Sequence, residues 1–179
     1  MLEIIVPANE IYIPEQNQFI NIPSCVLVLE HSLISIAKWE SKWHTSYLNA
    51  KNRTSAQELD YIKCMLVKPV KNDYVFSILS SENITQIREY IDDVMTATTF
   101  SKSSRSATKE IITAEILYSR MFDNNIPMEC QKWHLNRLLA LIRVCDAKNG
   151  PRSKMNKRQT AAYYAEQNAL RRAKYNTRG

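Results

Sequence analysis

The residues able to do chemistry in this chain are three histidines, His31, His44 and His134, and four cysteines, Cys25, Cys64, Cys130 and Cys145. Metal sites and Cys/His nucleophiles need such groups at short, fixed spacings, because several ligands must reach one ion and a base must reach its thiol. No HExxH, CxxC or paired histidines occur. Cys130 and His134 are four residues apart, which on one helix puts both on one face, but nothing nominates the further ligands that a metal needs. A thiol inside an apolar helix has a raised pKa and poor access, which disfavours the same pair as a nucleophile. The carboxylates Glu89, Asp92 and Asp93 fall at an expected helix end, where acidic residues serve solvation. The residues therefore lead us to expect no catalytic group, no metal and no cofactor.

The chain has only two glycines, Gly150 and Gly179. Walker and Rossmann fingerprints cannot be written without glycine, so both are excluded. Glycine also supplies the positive-φ positions of tight hairpin turns, and its scarcity argues against a large hairpin-rich sheet. The widely spaced cysteines fit reduced, packed thiols. MLEIIVPANE lacks the cationic and apolar regions of a signal peptide, and no apolar run approaches the ~18 residues that span a bilayer. The expectation is a soluble cytoplasmic protein without a membrane partner.

Charge and aromatic residues point to binding instead. Residues 150–179 hold eight basic side chains against Glu166 alone, a net +7, while the whole chain carries +6 and residues 1–149 therefore −1. Arg171, Arg172, Lys174 and Arg178 are candidate contacts for an acidic protein surface, for nucleic acid with Tyr175 stacking, or for the body's own carboxylates. Trp39 and Trp43, four apart in KWESKWH, read either as an aromatic–cationic contact face or as a seam packed against the helix of Trp133. We take Trp39, Trp43 and Trp133 as core or groove aromatics.

The elements that must position these groups follow from period and punctuation. Leu2–Val6, Ile11–Ile13, Phe19–Ile22 and Cys25–Glu30 are short β-branched or aromatic runs bounded by Pro7, Pro14 and Pro23, which predicts one antiparallel sheet of three or four strands with Asn17 in a turn. Ser32 caps a helix expected to run to about Asn49. Ser55 and Glu58 read as a capping box for a second helix that Pro69 ends. A short helix is expected from Asp73 to Leu79. A longer one from Ser81 to about Met95 carries Ile84, Ile87 and Ile91 on one face. Residues 101–109 read as a polar loop. Helices are further expected over Thr108–Asp123 and from Pro127 to about Lys148, the latter apolar on most sides and so the centre of a bundle. A basic helix from about Met155 to Lys174 closes the chain. The fold class is α+β and mainly α: a small N-terminal β-sheet (1–31), a helical body (32–149) and a basic helical arm (150–179).

LEHSLISIAKWESKWH (29–44), DYIKCM (60–65), YIDDVMTATTF (90–100), ITAEILYSRMFDNNIPMECQKWHLNRLLALIRVC (112–145) and the closing RRAKYNTRG together resemble a family of small tail-morphogenesis proteins of tailed phages and prophages. The resemblance implies a tail assembly chaperone. Such a protein holds the long helical tape-measure protein in the host cytoplasm until tube subunits displace it, and it self-associates along that partner. The role requires a groove for a helix and no catalytic residue. Two other readings stay open: a structural virion protein of the connector or baseplate, and a nucleic-acid-binding regulator.

Overall fold

A computed structural model describes residues 1–14, 17–100, 111–149 and 157–175. The chain opens with four strands, β1 (Leu2–Val6), β2 (Asn9–Ile13), β3 (Gln18–Ile22) and β4 (Cys25–Leu29). They form two separate antiparallel ladders, β1 with β4 and β2 with β3, where the sequence predicts one sheet of three or four strands. The register explains the difference. Leu2 pairs with Leu29 and Asn9 with Ile22, so both ladders lie on one long hairpin. Pro7 and Pro23 interrupt it, since neither can donate a ladder hydrogen bond. At the tip, Asn17 takes a left-handed conformation (φ 48°) and its N–H bonds the carbonyl of Pro14.

The side of the ribbon that faces the core changes at this break. On the first ladder Ile4, Val6, Leu27 and Leu29 are buried, whereas Glu3, Ile5 and Val26 are exposed. On the second, Ile13 and Ile22 are buried and Glu10, Tyr12 and Phe19 are exposed. Strand alternation has period two, so a one-residue phase shift exchanges the faces.

Helix α1 (Leu33–Trp43) starts at Ser32, whose hydroxyl accepts the Ser35 N–H, as the sequence predicts. It ends six residues before Asn49, because His44 turns left-handed (φ 50°) and closes the helix with its N–H on the Glu40 carbonyl. Helix α2 (Ser55–Cys64) is capped one residue earlier than expected: Thr54 and Gln57, not Ser55 and Glu58, bond reciprocally. It stops well before Pro69 because residues 65–67 join β4, with Glu30 N–H on the Met65 carbonyl and Val67 N–H on that of Val28, both at 2.9 Å. A 3₁₀ turn covers Asp73–Ile78, and α3 (Ser81–Asp92) follows a Ser80–Asn83 capping box. The segment past Asp92 is not helical: Asp93 is extended and Met95 has φ 50°.

Helix α4 (Ala114–Asp123) begins later than Thr108, and the polar stretch 101–109 lies outside the described residues. The single helix expected from Pro127 is two elements, a 3₁₀ turn (Met128–Lys132) and α5 (Leu135–Asn149). Trp133 is extended between them, His134 pairs with Ser32, and the Leu135 N–H bonds the His31 carbonyl at 2.7 Å. Long-range backbone bonds to the 31–32 segment thus override the local helical pattern. Leu135, Leu138 and Ile142 are buried in the core, but the last turn of α5 is exposed.

The protein is α+β and mainly α. One core takes in Ile4, Val6, Leu27 and Leu29 of the ribbon with Leu33, Ile36, Trp39, Leu117 and Leu135 of the helices. Each such side chain contributes roughly 1.5–3 kcal/mol by leaving water. The chain divides into two compact units, Met1–Cys145 and Asp146–Gly179. The second contains α6 (Lys157–Tyr175), close to the predicted basic helix; Arg178 lies outside the described residues. Among the described residues no helix is long and apolar enough to cross a membrane.

Candidate partner-binding groove

Helices α2 and α3 border a half-open cavity of about 450 Å³. Its apolar walls are Leu59 and Ile62 from α2 and Ile84, Ile87 and Ile91 from α3. The spacing of these residues at three and four places them on the facing sides of the two helices. Arg53, Glu58, Arg88 and Asp92 form the rim. The Arg88 guanidinium bridges to the Glu58 carboxylate at 2.9 Å, tying one helix to the other. Both groups are well exposed, so the pair contributes under about 1 kcal/mol.

Beneath the walls lies a layer of rings. Tyr47 and Tyr61 stack at 3.9 Å, and the Arg53 guanidinium sits 4.2 Å from the Tyr47 ring while donating to the Tyr47 carbonyl. The Tyr61 hydroxyl meets His31 Nδ1 at 2.5 Å. His31 packs edge-on to His134, and His134 edge-on to Tyr90. His134 Nδ1 accepts the Asn136 N–H, which leaves Nε2 to carry the proton donated to the Tyr90 carbonyl at 2.9 Å. The Tyr90 hydroxyl donates to Glu30, which pairs with the amino terminus.

Within this layer burial holds His31, Tyr47 and Tyr61 in their neutral forms. Burial, with His134 and Arg53 adding to it, holds His31 down at about 3, so the ring is uncharged and a poor base at neutral pH. Burial pushes the Tyr47 phenol up to about 12 against the opposing pull of Arg53, and raises Tyr61 well above the ordinary range. These groups neither take nor give a proton near pH 7. They fix the shape of a pit with apolar walls and a charged rim, which suits apolar side chains of a helix flanked by charges of both signs.

The predicted site residues fall elsewhere. Trp39 is fully buried and its Nε1–H donates to the Gln57 carbonyl at 3.0 Å, so its ring serves the core and presents no surface. Trp43 is half-buried and donates to Asp60 at 2.9 Å. Burial alone would raise the Asp60 carboxyl, but bonds from Lys42 and Trp43 outweigh it and hold the group below its ordinary range. Both tryptophans thus bond to α2, at the seam of α1 with α2. Trp133 is half-buried under the Arg137 guanidinium at 4.2 Å. None of the three lines the groove.

Cys130 and His134 do not share a helix face, because the extended Trp133 separates the 3₁₀ turn from α5. Burial, with Glu129 nearby, raises the Cys130 thiol. Among the described residues no three His, Cys, Asp or Glu side chains gather as metal ligands would. Arg171, Arg172 and Lys174 are exposed on α6, and the Lys174 ammonium lies 5.5 Å from the Tyr175 ring.

The sequence marks the Ile84, Ile87 and Ile91 face but not its partner. Arg53, Tyr47 and Tyr61 carry no local signal, since their roles come from contacts between distant segments. Compared with protein-family models, curated proteins and solved structures, the chain matches none.

Proposed function

We propose that this chain is a non-enzymatic binding protein of phage tail assembly, holding a helical segment of the tape-measure protein before the tube forms. The observation that carries the reading is the α2–α3 groove, an apolar pit with two arginines and two carboxylates on its rim. An amphipathic helix can seat a leucine or aromatic side chain there, each contributing roughly 1.5–3 kcal/mol on burial. The resemblance of the quoted runs to tail-morphogenesis proteins supplies the partner. The exposed Arg171, Arg172 and Lys174 add a second, cationic contact surface.

Co-expression with the cognate tape-measure protein tests the proposal. Wild type is expected to raise that protein's soluble yield and to co-purify with it. Ile84→Glu, which puts a charge in the groove at a half-buried site, is expected to abolish co-purification while keeping the far-UV circular dichroism of wild type. A wild-type protein that neither solubilises nor retains the partner would refute the reading.

A further inference from the structure

Helix α6 has no buried face among its described side chains. From Ala161 to Tyr175 each of them is exposed except Gln167, which is half-buried. Packing of an apolar face is the usual source of helix stability in a folded protein, and this helix draws little from it. Its charge is also unanswered. Glu166 is its one acidic residue, and among the described residues no carboxylate bridges to Arg171, Arg172 or Lys174.

Spacing sorts these residues by direction. Tyr164, Asn168, Arg171 and Tyr175 recur at intervals of four, three and four, so they form one row along the helix. Lys174 and Arg172 flank that row on opposite sides, about 160° apart around the axis at about 3.6 residues per turn. Glu166 and Leu170 fall on the back. A row of amide, guanidinium and phenol groups between two cationic flanks matches a groove with anionic walls. A protein interface has the reverse layout, an apolar centre with charge kept to its rim. Leu170 (58% exposed) is the helix's one aliphatic side chain larger than alanine, and it lies away from the row.

Dimensions choose the ligand. A helix with its side chains is about 10–12 Å across, and the major groove of B-form DNA is about 12 Å wide with phosphates along both edges. The major groove of an A-form RNA duplex is too narrow for side chains to read.

We propose that α6 binds duplex DNA by lying in its major groove. Arg172 and Lys174 meet the phosphates of the two facing strands, and Asn168 and Arg171 point toward the base edges. Tyr164 and Tyr175 continue the row at either end, where phenol hydroxyls bond phosphate oxygens. The α2–α3 groove plays no part in this contact, so the activity is a further one and gives the cationic surface of α6 its own ligand.

The test uses the full-length chain freed of co-purified nucleic acid, a short labelled B-form duplex and no tail protein. Its failure is thus separate from failure of the co-expression experiment. Fluorescence anisotropy is expected to show binding at low ionic strength that weakens steeply as salt rises. Arg172→Gln with Lys174→Gln is expected to weaken binding roughly tenfold or more and to lower the logarithmic salt slope by about two, one for each lost phosphate contact. Leu170→Gln, on the back, is expected to keep wild-type affinity, with the far-UV circular dichroism of wild type in both variants. Duplex RNA, single-stranded DNA and polyglutamate of matched charge are expected to bind more weakly than duplex DNA. A wild type that does not bind duplex DNA at low ionic strength overturns the proposal, and so does any of those three binding as tightly. A double variant with the wild-type salt slope also overturns it, as does a loss in Leu170→Gln equal to that of the double variant.

Discussion

Each oxygen of the Glu40 carboxylate accepts a backbone N–H at 2.7 Å, one from Tyr47 and one from Ala114. Thr113, at the cap position of α4, makes no side-chain cap bond, so a residue of α1 caps α4 across 74 positions of sequence. Ser46 adds a bond to the Ile112 carbonyl. Glu40→Ala leaves two buried donors unpaired and is expected to cost about 3 kcal/mol, read as a lower urea midpoint with an unchanged slope. His31 gives a pH signature. Its folded pKa of about 3 lies below the ordinary 6.5, so the unfolded chain takes up the proton first as pH falls. This site costs no stability above about pH 6.5. Below that, stability declines by roughly 1.4 kcal/mol per pH unit until about pH 3. Urea melts between pH 7.5 and 4.5 check this, with His31→Asn expected to show a slope shallower by about one proton.

At the scale of elements, the chain turns corners with very little glycine. Asn17, His44, Met95 and Asn125 all have positive φ, and they end or join β2, α1, α3 and α4. Asparagine tolerates that region through local hydrogen bonds, but His44 carries a Cβ penalty. His44→Gly is therefore expected to stabilise the protein by about 0.5–1 kcal/mol, measured by denaturant melts, since the C-cap geometry of α1 is what glycine adopts freely. The break between the 3₁₀ turn and α5 has a different origin. Nothing in IPMECQKWHLNRLL forbids a continuous helix; what interrupts it is the bond from Leu135 N–H to the His31 carbonyl and the pairing of His134 with Ser32. The capping of α2 by Thr54 in place of Ser55 is a milder case, two overlapping boxes of which one is satisfied.

At the scale of the molecule, two surfaces stand apart from the core: the groove between α2 and α3, and the outward side of the ribbon. The groove underlies the proposed hold on a tail protein. The exclusion of glycine-dependent phosphate sites, the start of α1, the proline-bounded strands and the concentration of positive charge in the last thirty residues were all determined by sequence alone. Each depends on residue type or on neighbours within a few positions. The tertiary structure decided which faces meet. It placed the Ile84, Ile87 and Ile91 stripe opposite Leu59 and Ile62 with a gap between, turned Trp39 and Trp43 toward α2, and joined the ribbon to the helices in one core. Those outcomes rest on packing and hydrogen bonds between segments far apart in the chain, and no local period encodes such pairings.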